Sequence, residues 1–231
     1  MKEIVFITAS HSRDILENNL LMSKVLDKYP LHIMQGYKNI PKAYNRATID
    51  GINIYVHHDV FLPDSFEEDL LKSLDAINRT DSDWGVLGVA GVIATPDNKK
   101  ASYGSLLDRG MDWDGIKEIP HEVDTLDELM LITKGDLIFD DNIPSAHFYG
   151  CDICLQSTLL GRKNYVVNAY CHHNSDLPQE GRPDGFLEAR DYIKEKYKDY
   201  LPIATTCTVI PLPTSAMRFI PRGRARRRRP E

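Results

Sequence analysis

Long apolar runs are missing from this chain of 231 residues. No stretch approaches the roughly 20 apolar residues that a helix needs to cross a bilayer. The start, MKEIVFITAS, lacks the basic-then-apolar layout of a secretion signal. Together these absences lead to the expectation of a cytoplasmic protein. Cysteine is scarce as well: Cys151, Cys154, Cys171 and Cys207 are too few for a disulfide scaffold in a chain this long. Familiar ligand motifs are also missing. There is no G-x-x-x-x-G-K-S/T, no G-x-G-x-x-G and no G-x-S-x-G, so a P-loop, a dinucleotide fold and a serine-hydrolase elbow lack support.

What is present is the composition of a globular protein, with 42% hydrophobic and 27% charged residues, enough for one large core. The net charge of −6 hides an asymmetry: from Arg218 to Glu231 there are seven arginines and one acid. The rest of the chain therefore carries −12, which argues against a general nucleic-acid binder. The Arg-rich tail is low in complexity and reads as disordered, with a charge suited to weak contact with a membrane surface. We expect one domain over residues 1–202, with a C-terminal helix, and an extension over 203–231 that ends in this tail.

Along the chain, KEIVFIT (2–8), LHIMQG (31–36), GINIYV (51–56), WGVLGVAGVI (84–93) and NYVVNAYC (164–171) read as strands. A further strand lies in ELMLITKGDLIF (128–139). Between them, helices are expected from a cap at Asp14 with Glu17 three residues later, from Pro41, from the Ser65/Glu68 capping box, over 149–161 ending at Gly161, and over 186–201. The alternation predicts an α/β fold with a mostly parallel central sheet flanked by helices. Ligands of such sheets bind beyond the carboxyl ends of the strands. That rim takes in Thr8 and Ser10, His57 to Asp59, and Gly91. Gly85, Gly88 and Gly91 either admit a ligand close to the backbone or allow tight strand packing.

IYVHHDVFL (54–62) is the most informative stretch, because an apolar strand runs into three side chains that would be costly to bury unpaired. In an extended chain His57 and Asp59 point the same way, and that pair can hold a divalent ion and a phosphate-bearing ligand, with Asp59 expected on the metal and His57 on the nucleotide donor. CHHNS (171–175) ends another strand and offers His172 or His173 to complete the coordination. Imidazole with carboxylate suits manganese or a similar divalent ion. Cys151-x-x-Cys154 with Cys171-His172 also allows a zinc reading, although packing of buried free cysteines is the simpler one. Asp152 lies near the start of a helix, where a carboxylate either caps free N–H groups or performs acid–base work in a cleft; Asp140 and Asp141 are its nearest rivals.

AYNRATIDG (43–51), VHHDVFLPD (56–64), HFYGCDICLQSTLLGRKNYVV (147–167) and the late histidines, in this order, resemble the GT-A glycosyltransferases. The resemblance is greatest to a compact bacterial glycosyltransferase-like group related to the large inverting, family 2-like enzymes, and covers roughly residues 2–175. It implies a nucleotide-diphospho-sugar transferase fold and metal-dependent, inverting transfer of a sugar from a nucleoside-diphosphate donor to an acceptor hydroxyl. It places Asn45 and Arg46 on the donor, His57 at the first position of a DXD-like motif, Asp59 at the last, and His172 or His173 on a Mn²⁺ or Mg²⁺ ion. Asp152 falls on the position of the catalytic base, and Cys151 replaces an acid often found before it. The histidine at position 57 keeps open a catalytically silent GT-A domain that binds nucleotide sugar or a partner, and the His/Asp cluster leaves a metal-dependent hydrolase as a further reading.

Overall fold

Ile4–Ser10 forms the first strand, β1, with every residue but one buried. In the computed structural model, which describes residues 3–113, 120–175 and 182–212, β1 leads to α1 (Arg13–Asn18), β2 (Leu31–Gln35), α2 (Ile40–Ala47), β3 (Ile52–Val56), β4 (Val60–Phe61) and α3 (Phe66–Thr80). Short strands follow: β5 (Leu87–Gly88), β6 (Ala90–Ala94), β7 (Lys100–Gly104), β8 (Leu106–Asp108), β9 (Met111–Trp113), β10 (His121–Val123) and β11 (Thr125–Leu126). The last part holds β12 (Met130–Thr133), α4 (Tyr149–Leu159), β13 (Asn164–Val166), β14 (Cys171–His173), α5 (Phe186–Lys196), and the hairpin β15 (Ile203–Ala204) and β16 (Val209–Ile210). The Arg-rich tail lies outside the described residues.

The main sheet has seven strands in the order β10-β13-β5-β12-β3-β1-β2. β12 runs against both of its neighbours and β10 against β13, while the other pairings are parallel. Five strands thus share one direction in a mixed α/β sheet. Strand β3 is buried at all five positions, as expected of a central strand covered on both faces. Alternation along β1 and β3 sorts the core into two clusters. Phe6, Ile54, Val56 and Met130 pack with α3 on one face. Val5, Ile7, Tyr55 and Leu131 pack with α4 and α5 on the other. Each large side chain so buried contributes on the order of 1.5–3 kcal/mol. Cys151 and Cys154 belong to the second cluster and Cys171 to the first, so the sheet separates them and packing explains all three.

Several local expectations change. α1 is capped by Ser12, whose hydroxyl accepts from the N–H of Ile15, rather than by Asp14. Ser65 makes no side-chain cap hydrogen bond. The run 84–93 is split between the main sheet (β5) and a three-stranded sheet ordered β11-β6-β7. The run 164–171 is likewise split into β13 and β14, and β14 joins a four-stranded sheet ordered β4-β14-β8-β9. This small sheet positions the site. Residues 203–210 form a hairpin tied back to the domain, with the Thr125 hydroxyl donating to the Ala204 carbonyl at 2.6 Å. Among the described residues, no helix is long and apolar enough to cross a membrane.

Candidate functional site

Strand β3 ends where the N–H of His57 donates to the carbonyl of Leu129, 3.0 Å away. The chain then turns into β4, with the N–H of Val60 returning to the carbonyl of His57 at 3.2 Å. His57 and Asp59 emerge on one side. His58 goes the other way and is buried, its Nδ1 2.8 Å from the Ser10 hydroxyl and its ring 4.6 Å from that of His11. Ser10 thereby ties the end of β1 to the end of β3.

The small sheet brings in the third member. In β14, His173 is opposite Val60 of β4 on one side and Asp108 of β8 on the other. His172 pairs with Phe61, and because neighbouring strand residues face opposite ways, its ring packs 5.6 Å from Phe61, on the far side from the cluster. Among the described residues, His57, Asp59 and His173 are the one group of three His, Cys, Asp or Glu side chains whose ligand atoms lie within 4.8 Å of one another.

Both imidazoles are held from behind. His173 Nδ1 lies 2.9 Å from Asp108 Oδ1, which leaves Nε2 facing Asp59 Oδ2 at 3.6 Å. His57 Nε2 is 2.9 Å from the Tyr149 hydroxyl, which leaves Nδ1 4.0 Å from Asp59 Oδ1. Burial alone would raise the Asp59 carboxyl, but the close approach of His173 and the charges of His57 and His58 hold it down at about 2. Burial lowers the proton affinity of His57. It acts the same way on His173, but Asp59 and Asp108 outweigh it and raise the net value. Among the described residues Asp59 Oδ1 is buried with no hydrogen-bond partner, and an orphaned carboxylate oxygen between two imidazoles fits a divalent cation.

Other expected residues are placed elsewhere. Thr8 is fully buried in β1, its hydroxyl without a partner. Gly91 lies in β6, where an added Cβ would come within 2.8 Å of the Thr125 carbonyl, so close strand packing accounts for it. Asn45 clasps the backbone of Phe139, donating to its carbonyl at 2.8 Å and accepting from its N–H at 2.9 Å. Arg46 is exposed, 3.0 Å from the Tyr37 hydroxyl and stacked over that ring. Asp152 is fully buried against α5: Oδ1 accepts from Lys196 at 2.6 Å and Tyr197 at 2.7 Å, and Oδ2 from Gln156 at 2.6 Å. Beside it opens a cleft of about 550 Å³ lined by Asp140, Gln156, Lys196 and Tyr197. That cleft does not include the metal-type cluster, whose donor geometry marks the chemistry better than volume does.

Sequence reading passed over Asp127 and Glu128, which precede β12 on the rim next to His57. Asp127 accepts from the N–H of Leu129 at 3.0 Å and from the hydroxyl of Thr206. Glu128 is partly buried, with Oε1 3.2 Å from the N–H of Gly150. Their signal was faint, an acidic pair directly before an apolar strand.

The chain belongs to the glycosyltransferase-like family, whose profile matches residues 18–177. A curated relative from Fuscovulum blasticum, described as ATP synthase subunits region ORF 6, is 28% identical over 160 residues, 64% of this chain and 60% of that protein. The chain thus spans less than two thirds of that relative. Among solved structures, TarS of S. aureus, residues 1–349 in complex with UDP-GlcNAc, is 15% identical with a TM-score of 0.49, covering 85% of this chain and 66% of its own. A mannosyltransferase of Pyrobaculum calidifontis in complex with GDP-Man and Mn²⁺ is 9% identical with a TM-score of 0.47, covering 78% and 58%. At these levels, residue roles rest on the geometry of this chain alone.

Proposed function

We propose that this chain transfers a sugar from a nucleoside-diphosphate donor to an acceptor hydroxyl with inversion, and that His57, Asp59 and His173 hold the Mn²⁺ or Mg²⁺ ion this requires. The observation that carries the reading is the triad itself: three donors where the rim of the main sheet meets the small sheet, two imidazoles oriented by Asp108 and Tyr149, and an Asp59 oxygen without a partner among the described residues. A divalent ion there would offset charge on a departing diphosphate.

Inversion in one displacement asks the protein for a base and no nucleophile. The acceptor O–H bond breaks and its proton passes to a carboxylate. The acceptor oxygen bonds to the anomeric carbon as the bond from that carbon to the diphosphate oxygen breaks, with the electron pair leaving on the diphosphate. Arg46, exposed on the helix before β3, is our candidate for an electrostatic contact to the donor, with Asn45 fixing the loop at Phe139 behind it.

Isothermal titration of Mn²⁺ with UDP and with GDP tests the site. Asp59→Asn should weaken metal-dependent nucleotide binding by at least about 100-fold while leaving the fold intact. Equal affinity in the variant would refute the metal assignment, and binding without turnover in the wild type would mark a silent nucleotide-sugar module.

A further inference from the structure

We infer that Glu128 is the base that takes the proton of the attacking hydroxyl. The inference rests on the glycosyl-transfer reading above and adds a residue to it.

Three observations carry it. First, Glu128 occupies the space in front of the first turn of α4. A Cβ built on Gly150 would come within 2.8 Å of Glu128 Cγ, and the Gly150 N–H donates to Glu128 Oε1 at 3.2 Å. The Glu128 side chain thus stands where a side chain on residue 150 would otherwise project. Second, both neighbours of this carboxylate are tied to the metal-type cluster. Leu129, next in sequence, accepts from the N–H of His57, and Tyr149, next to Gly150, holds the His57 ring. Third, the competing acid is committed elsewhere: Asp152 has no exposure, and both its oxygens are engaged by Lys196, Tyr197 and Gln156. Glu128 retains partial exposure, and the partners its carboxylate has are backbone N–H groups at the start of α4 rather than a cation.

The electrostatics agree with the geometry. Burial, reinforced by the charge of Asp127, raises the Glu128 carboxyl to about 8, against the opposing pull of the N–H groups of Phe148, Tyr149 and Gly150. A base is most effective when its proton affinity lies near the working pH.

The test measures release of nucleoside diphosphate from UDP-glucose, UDP-N-acetylglucosamine and GDP-mannose with Mn²⁺, water serving as acceptor, alongside titration of UDP and GDP. Glu128→Gln preserves the shape and the acceptor for Gly150. It should lose about 10²–10⁴-fold in turnover with nucleotide affinity within about threefold of wild type. Glu128→Ala should lose as much and recover part of it in sodium formate, since a small carboxylate can enter the vacated space; a merely structural role would show no such rescue. Turnover of Glu128→Gln within tenfold of wild type overturns the assignment, as does joint loss of binding and turnover without formate rescue. If Asp152→Asn alone loses turnover, the role returns to Asp152. Wild type that releases no diphosphate from any of these donors refutes the transfer reading and this inference with it, whereas active wild type with active Glu128→Gln refutes only the inference.

Discussion

Two carboxylates set two regions of the molecule apart. Asp59, on the rim beyond β3, is 17% exposed and keeps one oxygen with no hydrogen-bond partner among the described residues. Asp152, in the seam between α4 and α5, is fully buried, and its oxygens take three hydrogen bonds. Both follow aromatic or apolar residues at the boundary of an element, and in sequence they are equally plausible as working acids. The difference lies in what their surroundings leave unfinished. Around Asp152 a cation, a hydroxyl and an amide complete the polar network, as a packed interior requires. Around Asp59 two imidazoles are held in place and an acceptor is left over. An incomplete polar network on a rim points to a ligand, and a complete one in a seam points to stability.

The largest effect should come from breaking the complete network. Asp152→Ala strands Lys196 and Tyr197, and removing one partner of a buried pair costs about 3–5 kcal/mol. Lys196 retains Asp140 as a second partner, which favours the lower end. Urea unfolding of Asp152→Ala beside Asp59→Asn checks the contrast, because Asp59→Asn should cost less, no more than about 2 kcal/mol, through the lost attraction to His173 and His57. Equal losses in the two variants would erase the distinction between seam and rim.

A smaller effect should follow from loosening the support of His173. Asp108 is buried and paired in register with His173 across β8 and β14. Such partners fix the tautomer and orientation of a ligating imidazole, and their loss typically weakens metal binding about 10–100-fold. Asp108→Ala should therefore lower Mn²⁺ affinity by that factor in a titration with metal alone. Unchanged affinity would show that His173 is oriented by the sheet and not by the carboxylate.

The same contrast explains what the sequence made legible. β1, β3, α3 and α4 were readable because local pattern and burial coincide there, and Gly161 takes the positive φ of 79° expected just beyond a helix end. The choice between His172 and His173 was not readable. It depends on which face of β14 meets β4, and register against another strand is not encoded in the pair itself. Asp108 was invisible for the same reason, since it acts through a three-residue strand too short to show a period. The run 84–93 carries no mark of the point where it leaves one sheet for another. Glu128 was overlooked because its meaning depends on Gly150, 22 residues away, whose missing side chain makes the room. Local patterns disclosed the scaffold, and non-local register disclosed the site.

The smallest effect expected separates Asn45 from Arg46, adjacent residues that the family resemblance assigns together to the donor. Asn45 makes both of its hydrogen bonds to the Phe139 backbone, so Asn45→Ala should lower stability by about 1–2 kcal/mol through the backbone groups left unpaired. Arg46 faces solvent, and among the described residues its guanidinium meets Tyr37 through the hydroxyl and ring face. Arg46→Ala should thus change stability by no more than about 0.5 kcal/mol. Its effect should fall on nucleotide affinity instead, about 1 kcal/mol or roughly fivefold, because a charge-assisted contact to a diphosphate at an exposed position is partly screened. Thermal unfolding and titration with UDP and GDP, run on both variants, read the two quantities separately. Should Arg46→Ala alter neither, the guanidinium belongs to an ordinary solvated helix face, and the donor contact must come from the rim beyond β1 and β3.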